Sequence, residues 1–122
     1  MRYLQGYKKA LKQGDIIMMN FNPTKGHEQS GYRPALIVSN DDFNMMRGGM
    51  IKVVAITSNE KDFPLHIELP DDLPIHGKIE LDHERTIDSS SPARACEYRC
   101  TVPAEFLNDI LQKISLTYKK SR

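Results

Sequence analysis

The side chains best suited to chemistry lie between residues 22 and 33. This polar segment carries a cation, an imidazole, a carboxylate and a carboxamide, on Lys25, His27, Glu28 and Gln29. Gly26 and Gly31 flank the last three of these residues and can serve as hinges, since glycine adopts backbone angles closed to other residues. Arg33 follows, and Pro34 restricts it to an extended backbone, which gives its guanidinium a fixed origin. Such groups could bind an anion and exchange protons with it, although a long loop with a solvated polar tip would have the same sequence.

A pair of hydroxyl groups, Thr57 and Ser58, follows the most apolar segment of the chain, residues 50–56. That segment is apolar on both faces and rich in β-branched residues, which predicts a central strand. Hydroxyl residues at the end of a strand are a common turn signal. A buried strand would also hold a catalytic hydroxyl rigidly, so the pattern fits either role.

Two apolar runs, at residues 16–21 and 35–38, bracket the polar segment and predict two strands of one sheet. A connection of this length between strands is uncommon unless it is functional. Apolar and alternating residues predict further short strands at 65–69, 78–81 and 97–102. Several short strands with long loops indicate a small, strongly curved sheet.

Helices are predicted at the two ends of the chain. Residues 1–13 form a basic segment with a loose helical pattern that ends at Gly14. The chain closes with a helix over 101–119, with Thr101 as its cap. One face of this closing helix is apolar, and its members are Phe106, Leu107, Ile110, Leu111 and Ile114. The closing helix should therefore pack on the sheet.

Composition sets the bounds for the whole chain. With 122 residues, we expect a single domain over 1–122. No apolar run approaches the roughly 20 residues of a membrane span, and no signal-peptide pattern opens the sequence, so a cytoplasmic location is expected. The formal net charge of +1 does not by itself indicate a nucleic-acid-binding protein. Cys96 and Cys100 are expected to be reduced, since two thiols without a nearby histidine make a poor zinc site.

The sequence of the first loop and the strand after it, NPTKGHEQSGYRPALIVS, resembles the MazF/PemK family of toxin endoribonucleases. That family reads much like P-x-x-G-x-E-Q-x-G-x-R-P followed by an apolar strand. The matching positions are Pro23, Gly26, Glu28, Gln29, Gly31, Arg33 and Pro34. The family's A-I-T-S-like wording matches residues 55–58, and its strand entering an R-T-I-D-like turn matches residues 77–88. The resemblance covers about residues 14–115.

The resemblance implies a fold and an activity. The fold is mainly β (α+β), a small SH3-like barrel of the CcdB/MazF/PemK type over 14–119 with a C-terminal helix. The activity is a metal-independent, sequence-selective endoribonuclease that cleaves single-stranded mRNA without a cofactor. Attack by the 2′-hydroxyl would leave a 2′,3′-cyclic phosphate and a 5′-hydroxyl. The family also implies a homodimer and a cognate antitoxin protein.

The resemblance also implies a set of site residues. Those expected to act in catalysis are Arg33, Thr57, His27 and Asp82, and those expected to bind substrate are Lys25, Glu28, Gln29, Ser58 and Arg85. Arg33 is the natural phosphate clamp, because its planar guanidinium matches two phosphate oxygens and stays charged. The imidazole of His27 can act as acid or base near neutrality. Which residue is the base and which the acid stays open.

One position departs from the family pattern. PemK-like members have a second arginine two residues before the acid at position 82, where this chain has Glu80. A carboxylate there would repel phosphate, so the cation must come from Arg33 or Arg85, or the site must follow the MazF-like scheme. Residues 60–84 hold eight acids and two lysines. We expect most of these acids to point away from bound RNA.

Two other functions stay possible from the sequence. A non-catalytic poison on the same barrel would bind a protein target such as DNA gyrase, as CcdB-type toxins do. A plain nucleic-acid-binding barrel would need a net basic charge and aromatic residues in its loops, whereas this chain is near neutral and has few aromatic residues there. The E-Q-x-G-x-R-P loop favours the enzyme.

Overall fold

The structure is a computed structural model that describes residues 9–23, 26–27, 30–46 and 48–121. In chain order the elements are β1 (Asp15–Asn20), β2 (Tyr32–Ile37), α1 (Asp41–Met46), β3 (Met50–Thr57), β4 (His66–Glu68), β5 (Lys78–Asp88), a 3₁₀ turn (Pro92–Arg94), β6 (Glu97–Thr101) and α2 (Ala104–Leu116). The predicted class, mainly β with a C-terminal helix, is confirmed. No helix in the described ranges is long and apolar enough to cross a membrane.

The strands form one six-stranded sheet in the order β4-β5-β3-β2-β1-β6. Every neighbouring pair is antiparallel. The predicted central strand is confirmed, because β3 lies inside the sheet between β5 and β2. The sheet curls into a half-barrel, and β4 and β6 are its two edges.

β3 is buried on both faces of the sheet, which explains why its residues are apolar on both faces apart from Lys52 and the terminal Thr57. On β3, Val54 and Ile56 face one cluster, while Val53 and Ala55 face the other. The first cluster includes Ile110 and Ile114 of α2, and we call it the helix-side cluster. The members of the opposite cluster are Ile17, Met19, Phe21, Ala35, Ile37, Ile51, Val53, Ala55 and Ile87. Each large side chain buried in this way contributes about 1.5–3 kcal/mol relative to exposure.

The closing helix is confirmed but is shorter than predicted at both ends, since α2 begins at Ala104 and ends at Leu116. Pro103 is the residue that caps α2, and it makes no side-chain hydrogen bond to the helix. Thr101 belongs to β6 instead, and its hydroxyl donates to Oδ1 of Asp15 at 2.8 Å. Asp15 is buried and also pairs with Lys9 at 2.7 Å. The predicted cap is wrong because this buried carboxylate, distant in sequence, takes the threonine hydroxyl.

The strand predicted at 78–81 is longer than expected. β5 continues through Arg85 to Asp88, and these residues pair with β3 rather than forming a turn. Along β5 the register moves from Glu84 to Ile79 while β3 moves only from Val54 to Ile56. The extra residues bulge, which interrupts the alternating pattern and bends the strand. Because of this interruption, the sequence pattern did not predict the second half of β5.

The N-terminal segment differs from the predicted helical arm where it is described. Residues 1–8 of the predicted arm lie outside the described residues, and residues 9–13 contain no helix. The backbone N–H of Lys12 donates to Asp15, and that of Gln13 donates to Asp41. These amides therefore bind carboxylates instead of forming a helical turn. Near this segment, neither Cys96 nor Cys100 forms a disulfide, and burial raises the pKa of the Cys100 thiol.

Candidate active site

The loop between β1 and β2 is closed at its base by backbone and side-chain hydrogen bonds. The Phe21 N–H donates to the carbonyl of Gly31 at 2.9 Å. The Gly31 N–H in turn donates to Oδ1 of Asn22 at 3.1 Å. Gly31 has φ +84°, a conformation that side-chain-bearing residues rarely adopt. The glycine predicted as a hinge therefore shapes the neck of the loop.

Two arginines hold this neck against the rest of the sheet. Nη1 of Arg85 donates to the Phe21 carbonyl at 2.6 Å, and the guanidinium also lies over the Phe21 ring. Nη1 of Arg94 donates to the carbonyls of Asn20 and Asn22, both at 3.0 Å. Bonds from charged donors are the stronger class of hydrogen bond. Arg85, which we expected to bind substrate, thus contacts the base of the loop and does not line the cleft described next.

Arg33 and Thr57 are brought together by strand register. β2 and β3 pair Ala35 with Ala55 and Leu36 with Val54. Two residues further along the same register, Arg33 on β2 stands opposite Thr57 on β3. Both belong to the face of the sheet that carries the opposite cluster, because side chains alternate along a strand. They line one cleft of about 270 Å³, together with Tyr32, Pro34, Ile56, Ser58 and His76.

Each of these two side chains keeps hydrogen-bond donors available. Nε of Arg33 donates to the Ser30 carbonyl at 2.8 Å, which orients the guanidinium. No other residue in the described ranges hydrogen-bonds its two terminal nitrogens. Thr57 is 6% exposed, and its Oγ1 accepts the Asn59 N–H at 3.1 Å. The threonine hydroxyl hydrogen is then left to donate, so the pair can bind an anionic oxygen from two sides.

A second cleft of about 580 Å³ adjoins the first and shares Ser58 and His76 with it. Its other lining residues are Asn59, Glu60, Glu68, Gly77 and Lys78. Thr57 pairs directly with Lys78, and Lys78 pairs with Glu68. The two clefts therefore form one groove across the ends of β2, β3, β5 and β4, which we call the groove. Nζ of Lys78 is tied to Asp62 at 3.1 Å.

The acids of residues 60–84 are only partly directed away from this groove. Glu60 and Glu68 line it, whereas the other six acids line neither cleft. Glu80 is 3% exposed and lies with its Oε2 3.6 Å from Nε2 of His66. Glu80 pairs across the strands with His66 and lines neither cleft, so the repulsion of phosphate considered from the sequence would not act from the groove wall.

Asp82 lies with this histidine rather than in the groove. Its Oδ1 is 3.9 Å from Nε2 of His66, and its Oδ2 is 3.7 Å from Nε2 of His83. Asp82 is absent from the lining of either cleft. In the described ranges, no three His, Cys, Asp or Glu side chains are arranged to hold a metal ion.

The other expected site residues divide into two groups. Lys25, Glu28 and Gln29 lie outside the described residues, so their positions stay predictions. His27 is described and is exposed on the loop. Ser58 lies in the groove as expected.

The groove also contains residues that sequence reasoning missed, namely Tyr32, His76 and Lys78. Tyr32 is 52% exposed, and it interacts with Arg99. A hydrogen bond to Glu97 raises the pKa of Arg99, with smaller contributions from Tyr32. His76 could have been noticed only by its position before Gly77 in a turn, since no strand pattern links it to Thr57.

Comparisons with known proteins identify a family that spans most of the chain. A family described as "PemK-like, MazF-like toxin of type II toxin-antitoxin system" matches residues 12–118. Endoribonuclease toxin ChpB of Escherichia coli K12 is 36% identical over 89 residues, 66% of this chain and 72% of ChpB. Endoribonuclease PemK of Escherichia coli is 33% identical over 119 residues, 93% of this chain and 86% of PemK.

Solved structures have the same architecture. MazF from Deinococcus radiodurans superposes with a TM-score of 0.81 at 32% identity, covering 92% of this chain and 100% of that one. In a MazE-MazF structure from the same organism, the matching chain gives a TM-score of 0.74 at 26% identity, covering 93% and 100% of the two chains.

Proposed function

The chain belongs to the PemK-like, MazF-like toxins of type II toxin-antitoxin systems, and we propose that this endoribonuclease toxin cuts single-stranded mRNA at selected sequences without a metal ion. The observation that carries the proposal is the meeting of Arg33 and Thr57 in one cleft. A fixed guanidinium and a donor hydroxyl suit a phosphate whose charge rises in the transition state.

The reaction needs no nucleophile from the protein, because RNA carries its own. The 2′-oxygen attacks phosphorus and loses its proton to a base, while the bond from phosphorus to the 5′-oxygen breaks. An acid protonates that 5′-oxygen, which leaves a 2′,3′-cyclic phosphate and a 5′-hydroxyl. Arg33 binds two non-bridging oxygens through its planar guanidinium, and the Thr57 hydroxyl donates to one of them.

Proton transfer requires further groups near the scissile phosphate. His27 and Glu28 belong to the loop on the Arg33 side, and we propose that the loop supplies one proton-transfer group. Asp82, which the sequence also favoured, lies beside His66 and His83, so its direct participation is the weaker hypothesis.

Binding of the RNA strand extends beyond the scissile phosphate. We propose that Ser58 contacts the backbone next to Thr57, and that Lys25 and Gln29 of the loop contact the flanking nucleotides. Arg85 supports binding indirectly by holding the base of the loop. Glu60 and Glu68 repel phosphate in part of the groove, which would limit where the strand can pass.

Membership of this toxin family also suggests partners and a location for the protein. We propose that the protein is a homodimer in the cytoplasm and that a cognate antitoxin protein covers the RNA groove. The relative from Deinococcus radiodurans is found in a MazE-MazF complex.

The test is incubation of the purified protein with a long RNA in excess EDTA, followed by mapping of the cut sites and their ends. We expect cleavage at a recurring short sequence, with 2′,3′-cyclic phosphate and 5′-hydroxyl ends. Activity that is lost in EDTA and restored by magnesium would contradict the metal-independent scheme. Intact RNA together with inhibited DNA gyrase would support the non-catalytic alternative.

A further inference from the structure

One imidazole occupies the centre of the groove, and none of the sequence motifs includes it. His76 lines both clefts, and Ser58 is the other residue that they share. We propose that His76 is a proton-transfer group of the cleavage reaction, acting on the side of the phosphate away from the loop between β1 and β2. This inference rests on the proposed function.

The backbone around His76 is held from both sides. Ile75 packs against the helix-side cluster. Gly77 has φ +139°, and a Cβ added there would lie 2.5 Å from the Thr57 carbonyl oxygen. The Leu69 N–H donates to the Gly77 carbonyl at 3.0 Å. Only glycine permits this approach, so position 77 brings the preceding histidine against the end of the strand that carries Thr57.

The sheet order places His76 on the side of the phosphate that the loop cannot serve. β3 lies between β2 and β5, so Thr57 separates Arg33 and its loop from the start of β5. His76 comes just before β5 and is therefore on the far side of Thr57. In an in-line displacement the attacking and leaving oxygens stand on opposite sides of phosphorus. A site that uses one loop group and His76 has a proton-transfer group on each side.

The charged groups around His76 fit such a role. Arg33 and Lys78 line the groove beside it, and Glu60 and Glu68 line the same groove. An imidazole can accept the proton of the 2′-hydroxyl or donate one to the leaving 5′-oxygen near neutral pH. In either role, His76 exchanges one proton with the RNA, as the cleavage reaction described under the proposed function requires.

The remaining histidines offer matched controls. The chain has four histidines. His83 lies outside the groove beside Asp82, with Nε2 3.7 Å from Oδ2. His27 is the imidazole that the sequence favoured. His76 and His27 are both exposed, so replacing either with glutamine should leave the fold intact.

The experiment measures single-turnover cleavage of one short RNA by wild type, His76→Gln, His27→Gln and His83→Gln, from about pH 5 to about pH 9. A parallel substrate carries sulfur in place of the 5′-bridging oxygen, because a thiolate leaves without an acid. We expect His76→Gln to lose about 10²-fold or more in rate, the order for removal of a general acid or base. It should also lose one limb of the pH profile, whereas His83→Gln should match wild type.

The two substrates distinguish the roles. Recovery of His76→Gln on the sulfur substrate supports the inference with His76 as acid, and an equal loss on both substrates supports it with His76 as base. A variant that keeps the wild-type rate overturns the inference, as does one that is slower with an unchanged pH profile, since that is the behaviour of a structural residue. If wild type leaves the RNA intact, the proposed function fails and this inference with it.

Discussion

At the scale of single residues, the structure separates the candidate phosphate-binding side chains that line the groove from those that lie elsewhere. Arg33 and Thr57 were identified from the sequence because their motifs are local, and the strand register then places them opposite each other. From the sequence alone, the carboxylate of Glu80 was expected to repel phosphate, yet it is buried beside His66. The position of Glu80 follows from the pairing of β4 with β5, which no local sequence pattern shows.

The burial of Glu80 leads to a prediction about stability. Glu80→Arg removes the buried carboxylate beside His66 and puts a larger, permanently charged side chain in its place, where water cannot solvate it. Breaking a buried pair costs roughly 3–5 kcal/mol, and we expect the melting temperature to fall by on the order of 10 °C. Thermal unfolding followed by circular dichroism measures this.

Glu68→Arg is the matched control, because Glu68 is exposed on β4 and lines the groove. That variant should keep the wild-type melting temperature and bind RNA more tightly, since a repelling charge becomes an attracting one. An unchanged melting temperature for Glu80→Arg would refute the assignment of Glu80 to the buried pair.

At the scale of elements, the loop between β1 and β2 acts from a fixed base. The sequence predicted a functional loop. The side chains that anchor this loop are distant from it in sequence, so local sequence patterns cannot reveal them. Arg94 is the last residue of the 3₁₀ turn at Pro92–Arg94, and Arg85 lies in the half of β5 that the sequence pattern did not predict. The strands were predicted where an apolar or alternating run is unbroken, and β5 was predicted too short because a bulge interrupts its pattern.

Arg94→Ala tests whether this anchoring matters for activity. The change removes hydrogen bonds to the carbonyls of Asn20 and Asn22, so the loop should move more freely. We expect cleavage to fall about 10-fold, because small misplacements of reacting groups cost up to about 10²-fold. Amide hydrogen exchange should become faster in residues 21–31.

Lys113→Ala serves as the control, since Lys113 pairs with Asp109 on the surface of α2. It removes a cation without touching the loop and should leave both measurements unchanged. Normal cleavage by Arg94→Ala, with faster exchange in the loop, would mean that the anchoring has no catalytic role.

At the scale of the whole molecule, one protomer offers a short groove and leaves large apolar side chains exposed. Met45 and Met46 of α1 are 79% and 73% exposed, and Tyr118 beyond α2 is 69% exposed. We predict a two-fold dimer, since pairing would cover apolar surface and lengthen the surface available to RNA. Sedimentation velocity at micromolar concentration should give twice the chain mass of 14.0 kDa. A species of single-chain mass would contradict the prediction.

The central claim is that Arg33 and Thr57 form the phosphate site, and single-turnover cleavage of one short RNA in EDTA tests it most directly. The variants are Arg33→Ala, Thr57→Ala and Asp82→Ala, each checked for folding. We expect Arg33→Ala to lose about 10²-fold or more, the order for removal of a transition-state donor. Thr57→Ala should come close to that loss, and Asp82→Ala should stay near wild type. A near-normal rate for Arg33→Ala together with an inactive Asp82→Ala would contradict the account.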